Sequence, residues 1–170
     1  MKVSEFVKKF YPYAKETEIK TGINALFTLA QAALESAWGE SAPGNMFFGI
    51  KDTDGINGNE QLLRTTEVLK NPNVKFPEII SITKRPDGKY TYRVKDWFRK
   101  YETPEGSFTD HACFFFTYNR YKQALEVKHD PYLFADEVAK AGYATDPNYA
   151  ASLKKIIKMI EKYIPDEKSA

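Results

Sequence analysis

The stretch Leu29–Glu40, LAQAALESAWGE, decides the fold because it is the centre of the most apolar part of the chain. Across residues 21–50 the only charged side chains are Glu35 and Glu40. A segment with so little polar surface is expected to lie inside the protein. A carboxylate such as Glu35 within it is therefore either tolerated or needed.

The residues around this stretch predict a helix. Asn24 is a favourable N-cap residue and Gly39 a favourable stop, so we expect a helix from after Asn24 to about Trp38. It is apolar on nearly all sides, which predicts the central buried helix of the domain.

Glu35 would then lie close to the C-terminal end of that helix. Its apolar neighbours and the negative end of the helix dipole would both favour the uncharged, protonated carboxyl. A glycosidic oxygen leaves poorly until it is protonated, and a protonated carboxylic acid is the usual donor. The alternative is an ordinary surface Glu, and the local residues leave both interpretations open.

Composition narrows the class of protein. The chain has 170 residues, 42% hydrophobic and 28% charged, as expected for one globular domain. A net charge of +2 argues against a dedicated nucleic-acid binder. No apolar run is long enough to cross a membrane. The N-terminus lacks the apolar core of a signal peptide, so either the chain is not exported by that route or a signal has been removed.

The residue pattern of the remaining chain changes from helical to β-rich. We expect a first helix from about Ser4, as N-cap, to Lys20, kinked or split at Pro12 and stopped by Gly22. Residues 47–98 predict a small β-rich lobe, with strands at NMFFGIK and LLRTTEVL and a hairpin around a Pro-Asp-Gly turn.

Helices are predicted again after the lobe. They run from Pro104 to about Phe116 with Thr103 as N-cap, over residues 120–127 and 131–141, and from Pro147 to Ile164 with Asp146 as N-cap. The expected fold class is α+β and mainly helical, with residues 1–170 as a single domain that carries the β lobe as an insertion at about 47–98.

Other chemistries fit the sequence poorly. His111 and Cys113 suggest a thiol protease, but two residues apart on a helix they point in different directions. Cys113, the only cysteine, is expected to be a buried inert thiol. His111 and His129 form no zinc pattern, and DTDGINGNE lacks the spacing of a calcium loop. We therefore expect no metal and no cofactor.

Five segments in order, LAQAALESAWGES, NMFFGIK, TTE, FTDHACFF and AGYATDPNYAASLKKII, resemble glycoside hydrolase family 73, the bacterial endo-β-N-acetylglucosaminidases. The resemblance covers nearly the whole chain. It implies a lysozyme-like fold with a helical lobe, a small β lobe and a cleft between them. It also implies hydrolysis of peptidoglycan glycan strands after N-acetylglucosamine.

The same resemblance assigns site residues. Glu35 matches the general acid, Glu67 of TTE the proposed second carboxylate, and Tyr143 of AGYATDP a cleft residue near the reacting sugar. Trp38, Asn45 and Phe48 are expected to contact substrate.

The long segment 68–106 departs from the usual pattern of the family and predicts an enlarged β lobe. It leaves Glu102, Glu105 and Asp110 as competitors for the role of second carboxylate. Strand alternation places Glu67 on the same face as Thr65. With Val68 as the expected core residue, Glu67 should face the cleft, across from Glu35.

Two rival functions stay open. A muramidase or lytic transglycosylase would share the fold and cut the other glycosidic bond, and a non-catalytic glycan-binding or scaffold domain would keep only the cleft. The expected partner is peptidoglycan, with no nucleic acid and no membrane insertion. We expect a monomer that acts at the bacterial cell wall, either as a phage lysin released at lysis or after a signal has been removed.

Overall fold

A computed structural model describes residues 1–165. The chain divides into two compact units. The larger combines Met1–Phe48 with the chain from Tyr101 onward, and the smaller is Gly49–Lys100. The larger unit is helical and the smaller contains a three-stranded sheet. The predicted mainly helical α+β class is confirmed.

Helix α1, Val3–Thr21, is continuous through Pro12, so the predicted split at that proline is wrong, and the predicted kink stays a prediction. The N-cap is Lys2 and not Ser4. Helices Ala25–Glu35 and Pro104–Thr117 pack against α1. Gly22 ends the helix as predicted, in the left-handed conformation (φ 77°) that glycine adopts without strain.

Helix α2, Ala25–Glu35, begins as predicted, because the Asn24 side chain accepts a 2.8 Å hydrogen bond from the backbone N–H of Leu26. Its buried residues run almost without interruption from Ala25 to Ala33, as expected for the central helix. The predicted end near Trp38 is wrong, because the helix stops at Glu35. Glu35 is therefore its last residue.

The core of the helical unit lies between α2 and its neighbours. Aromatic rings contribute much of it, and they meet mainly edge to face, the favourable arrangement for aromatic pairs. The fully buried aromatic side chains of this unit are Phe6, Phe27, Phe108, Phe115, Tyr121 and Phe134.

The remaining helices are α3 Pro104–Thr117, α4 Lys122–Leu125, α5 Pro131–Lys140 and α6 Tyr149–Glu161. Short 3₁₀ turns lie at Pro43–Asn45 and Asn119–Tyr121. These helices follow the predicted order. Two are shorter than predicted, because α6 ends at Glu161 and not at Ile164, and only Lys122–Leu125 within residues 120–127 is α-helical.

Helix α6 starts at Tyr149, two residues later than expected. Asp146 accepts a 2.9 Å hydrogen bond from the N–H of Asn148 in the preceding turn and does not cap the helix. Cys113 was expected to be buried, but it is exposed because it lies away from the buried side of α3. Within residues 1–165 no helix combines the length and apolarity needed to cross a membrane.

The smaller unit is an antiparallel sheet of β1 Glu60–Leu69, β2 Glu78–Lys84 and β3 Tyr90–Arg99 in the order β1-β3-β2. The predicted β2–β3 hairpin and the strand at LLRTTEVL are confirmed. The strand predicted at NMFFGIK is wrong, since that segment makes only a single bridge, from Lys51 to Phe98.

Strand β1 places Thr65 and Glu67 on the expected common face, but it does not bury Val68. Thr65 and Glu67 share a face as predicted, and their cross-strand partners Val94 and Tyr92 are fully buried. Val68 is 43% exposed on the opposite face, so its predicted place in the core is wrong. The side chains of β3 provide the buried apolar surface instead.

Candidate active site

Glu35 presents its carboxylate at the end of the most buried helix. The side chain is exposed, although the residues before it in α2 are buried. The expectation that apolar surroundings would desolvate this carboxyl is therefore wrong. The chain turns away immediately after Glu35, and this leaves the carboxyl open to a ligand from solvent.

That turn has an uncommon backbone conformation. Ala37 (φ 50°) and Trp38 (φ 57°) both lie in the left-handed region, which is disfavoured for residues with a side chain. The N–H of Trp38 donates a 2.8 Å hydrogen bond to the Ala33 carbonyl, and its ring packs edge-on against Phe6 at 5.3 Å. Tertiary contacts therefore hold this conformation directly beside Glu35.

A chain of side-chain hydrogen bonds leads from Glu35 into the core. The Tyr149 hydroxyl donates to Oε1 of Glu35 at 3.3 Å. Nε2 of Gln31 donates to the Tyr149 oxygen at 3.1 Å, and Oε1 of Gln31 lies 2.9 Å from Nε2 of His111. We call Gln31, His111 and Tyr149 the relay; all three are buried.

Tyr143 joins the same group. Its hydroxyl lies 3.2 Å from Nε2 of His111, and its ring stacks on Tyr149 at 5.4 Å. Burial raises the pKa of the Tyr143 hydroxyl, and the nearby Tyr149 and Glu35 raise it further. Burial likewise raises the pKa of Tyr149. Both phenols are therefore neutral hydrogen-bonding groups at physiological pH.

His111 is a neutral imidazole in an aromatic setting. The Phe48 ring stacks on it with 3.8 Å between centroids and 11° between planes, and the Phe115 ring meets it edge-on. Burial lowers the pKa of His111 from 6.5 to about 3. An uncharged imidazole has one N–H donor and one acceptor nitrogen, so its tautomer matters to the relay.

The three predicted substrate-binding residues lie in the helical unit. Phe48 covers His111, and Trp38 packs on the core beside Glu35. Asn45, also left-handed at φ 58°, donates from Nδ2 to the Tyr101 carbonyl at 3.0 Å. Contact of these residues with a substrate stays a prediction.

Glu67 lies in an ion cluster of the β unit. Nζ of Lys51 is 2.5 Å from Oε1 of Glu67 and 3.0 Å from Oδ2 of Asp96. Burial alone would lower the pKa of Lys51, but its hydrogen bonds to the two carboxylates raise it. Asp96, which the sequence did not suggest, is therefore a second carboxylate in this cluster. The predicted approach of Glu67 to Glu35 stays a prediction.

Two of the three competing carboxylates have other hydrogen-bond partners, and the third lines a pocket. Glu105 accepts from Lys20 and from Thr109, both at 2.7 Å, and the hydrogen bond from Lys20 is the main cause of its lowered pKa. Asp110 accepts a hydrogen bond from the Tyr101 hydroxyl. Glu102 lines a separate pocket of about 330 Å³.

The acidic turn DTDGINGNE is organised by local contacts. Glu60 accepts hydrogen bonds from the backbone N–H groups of Asn57 and Gly58. Arg99 lies 3.5 Å from Asp52 and 3.3 Å from Asp54. In residues 1–165 no three His, Cys, Asp or Glu side chains are grouped to hold a metal ion.

The relay was missed at the level of sequence, although two of its members carried a signal. Gln31 lies four residues before Glu35, which puts both on one face of α2. Tyr149 lies six residues after Tyr143 in the same motif. His111 comes from the distant helix α3, and only the folded structure brings it to the other two.

The model of the glucosaminidase family, described as mannosyl-glycoprotein endo-β-N-acetylglucosaminidase, matches residues 11–162. The chain belongs to this glucosaminidase family. The predicted resemblance is thereby confirmed.

Two curated relatives illustrate the relationship of this glucosaminidase domain. Peptidoglycan hydrolase FlgJ of Pseudomonas aeruginosa is 32% identical over 166 residues, which cover 94% of this chain and 37% of the relative. Exo-glucosaminidase LytG of Bacillus subtilis is 36% identical over 148 residues, covering 82% and 44%. The chain therefore spans less than half the length of either relative.

A solved structure confirms the lysozyme-like fold. The glycoside hydrolase domain from Salmonella typhimurium FlgJ matches the glucosaminidase domain with a TM-score of 0.71 at 26% identity. The match covers 95% of this chain and 90% of that one.

Proposed function

We propose that the glucosaminidase domain hydrolyses the β-1,4 bond that follows N-acetylglucosamine in the glycan strands of peptidoglycan. The name of the Pseudomonas relative, peptidoglycan hydrolase, supports this substrate, and the name of the Bacillus relative, exo-glucosaminidase, supports cleavage after N-acetylglucosamine. The single observation that carries the proposal is the Glu35 carboxyl, which is exposed to solvent and held by the Tyr149 hydroxyl at the end of α2. A group placed in this way can reach a glycosidic oxygen.

In this mechanism protonated Glu35 gives its proton to the bridging oxygen. The bond from the anomeric carbon to that oxygen then breaks, and positive charge develops on the sugar ring. Water supplies the new oxygen at the anomeric carbon, and its surplus proton restores Glu35 through solvent. The reaction needs no cofactor.

Glu67 is the proposed second carboxylate, and three routes are open to it. It can activate the water and give inversion, assist an attack by the substrate's own N-acetyl group and give retention, or only stabilise positive charge. Its carboxylate is paired with Nζ of Lys51 at 2.5 Å, a contact that suits all three routes. Asp96 shares Lys51 and is the alternative carboxylate of this cluster.

Tyr143 is proposed to lie near the reacting sugar. Its hydroxyl already has a partner in His111, so packing alone is a competing role for it. Replacement by Phe separates the two, because Tyr143→Phe should lower kcat if the hydroxyl meets the sugar. An unchanged kcat with a lower melting temperature would assign Tyr143 to packing.

We also propose that the two compact units form one catalytic domain that acts as a monomer at the bacterial cell wall. The net charge of +2 favours a glycan over a nucleic acid as partner. Size-exclusion chromatography with light scattering tests the monomer, and a dimer mass would contradict it.

The test of the activity is mass spectrometry of digested peptidoglycan after borohydride reduction, which labels each new reducing end. We expect reduced N-acetylglucosamine at these ends. Reduced N-acetylmuramic acid would indicate a muramidase, and an anhydro sugar a lytic transglycosylase. Unchanged peptidoglycan would indicate a non-catalytic glycan-binding domain.

A further inference from the structure

His111 has no direct role in the proposed reaction, yet it is buried in the helical unit and hydrogen-bonded within the relay. Its side chain is only 9% exposed, and Phe48 covers its ring. A buried imidazole loses hydrogen bonds to water, so such a residue is retained at a cost unless its polar atoms find partners. Its Nε2 atom lies 2.9 Å from Oε1 of Gln31 and 3.2 Å from the Tyr143 hydroxyl.

The order of donors and acceptors along the relay follows from Gln31. Its Nε2 donates to the Tyr149 oxygen, so its Oε1 faces His111 and can only accept. The Nε2 atom of His111 must then carry the proton. Tyr149 accepts from Gln31 and turns its own O–H to Glu35. Each donor along the chain therefore points towards the carboxyl.

We propose that His111 and Gln31 are positioning residues, which hold the Tyr149 hydroxyl so that it fixes the Glu35 carboxyl for proton transfer. This inference rests on the proposed function of Glu35. The shortest contact of His111 Nε2 is with Oε1 of Gln31, and we assign its action to the Gln31 amide; Tyr143, the longer contact at 3.2 Å, reaches Tyr149 only by ring stacking. Fixing an acid in its reactive geometry raises turnover, whereas a misplaced group can cost about 100-fold.

The competing interpretation is that His111 only fills space among aromatic rings. The two interpretations make opposite predictions for two substitutions. His111→Phe keeps an aromatic ring against Phe48 but removes the donor. His111→Gln loses the ring but places an amide N–H₂ near the position of Nε2, where it can donate to Gln31.

The experiment compares kcat and KM of these variants on soluble, peptide-free glycan strands, with melting temperature as the control for folding. We expect His111→Phe to lower kcat about ten-fold or more with little change in KM. His111→Gln should recover most of kcat even where its melting temperature is lower. A His111→Phe variant with wild-type kcat, or a His111→Gln variant that is the worse enzyme, overturns the inference.

Gln31→Met provides a second variant of similar length that can neither donate nor accept in the relay. If both residues act through one chain, the double variant His111→Phe/Gln31→Met should have about the kcat of the worse single variant. Losses that multiply would show two independent effects and would contradict the relay.

A measurement on the wild type does not depend on variants that fold. Long-range ¹H–¹⁵N NMR spectra of the imidazole distinguish its tautomers, and we expect the proton of His111 on Nε2. A proton on Nδ1 would reverse the order of donors and overturn the inference.

The outcome for Glu35→Gln separates this inference from the function on which it rests. If Glu35→Gln is active, the proposed general acid is wrong, and there is no catalytic carboxyl for the relay to position. If Glu35→Gln is inactive while His111→Phe keeps the wild-type kcat, the general acid stands and only the relay is refuted.

Discussion

The hydroxyl of Tyr149 donates a 3.3 Å hydrogen bond to the carboxyl of Glu35, across 114 residues of sequence. The same ring stacks on Tyr143, so it is fixed by packing as well as by its hydroxyl. Tyr149→Phe removes only the oxygen. We expect kcat to fall about ten-fold or more because the carboxyl loses its anchor, and KM to change little.

Tyr132→Phe is the matched control for this variant. The Tyr132 hydroxyl also donates to a carboxylate, Oε1 of Glu161 at 2.7 Å, but at an exposed position. It should leave kcat unchanged. Equal kinetics for Tyr149→Phe and wild type would show that the contact with Glu35 has no part in turnover.

Replacing Glu67 by Gln tests the second carboxylate. We expect kcat to fall at least ten-fold, since the variant loses the negative charge that all three proposed routes use. The anomer released first, observed by NMR, then distinguishes the routes. An inverted product with azide rescue of Glu67→Ala indicates a base, and a residual activity with retention indicates attack by the N-acetyl group.

A Glu67→Gln variant with the wild-type rate would remove Glu67 from the mechanism. Asp96→Asn is the natural comparison, because Asp96 shares Lys51 with Glu67. A loss of activity in Asp96→Asn alone would move the role to Asp96.

His111 should make stability depend on pH. Its pKa is about 3 in the folded protein against 6.5 for an ordinary His, so between these values the unfolded chain binds a proton that the folded one does not. The free energy of unfolding should therefore decrease as pH falls through this window, by up to about 1.4 kcal/mol per pH unit. Stability above pH 6.5 should not depend on this group.

Urea unfolding of wild type and His111→Gln at pH 6 and pH 4.5 measures this effect. Carboxylates titrate in both proteins, so their contribution cancels in the comparison. The wild type should therefore lose more stability over that interval than the variant. Equal losses would mean that His111 is protonated in the folded state.

The sequence predicted the elements whose signals are local. Asn24 caps α2 and Gly22 ends α1 because a short polar side chain and a missing Cβ suit those positions in any fold. The Pro-Asp-Gly turn gave the β2–β3 hairpin for the same reason. These features depend on a few neighbouring residues and on little else.

The failures occurred where tertiary contacts override local preference. Trp38 has no sequence signal for a left-handed conformation, yet it adopts one, packs on Phe6 and lies beyond the end of α2 at Glu35. Pro12 stays inside a helix that its neighbours support. Val68 looks like a core residue, but Tyr92 and Val94 of the next strand supply the buried surface.

For the same reason, only part of the candidate site could be predicted from the sequence. The resemblance of motifs pointed to Glu35, Glu67 and Tyr143 one by one. The relay needs side chains from three helices to meet, as Gln31, His111 and Tyr149 do at 2.9 and 3.1 Å. Lys51 likewise meets Glu67 and Asp96 only after the sheet has formed.

Chelation should leave activity intact. Protonation by a carboxylic acid needs no metal, and in the part of the chain that the structure describes no cluster suits one. Release of reducing ends in millimolar EDTA should equal that in buffer alone. Inactivation by EDTA that one metal reverses would contradict this and direct attention to the acidic turn DTDGINGNE.

The turnover of Glu35→Gln tests the central claim most directly. The amide keeps the size of the side chain and removes the transferable proton, so kcat should fall by about 10²–10⁴-fold. Glu16→Gln, at an exposed position of α1, is the matched control and should retain full activity. A correctly folded Glu35→Gln protein that keeps more than about a tenth of wild-type kcat would fall outside the loss expected for a general acid, and would show that Glu35 is not the acid.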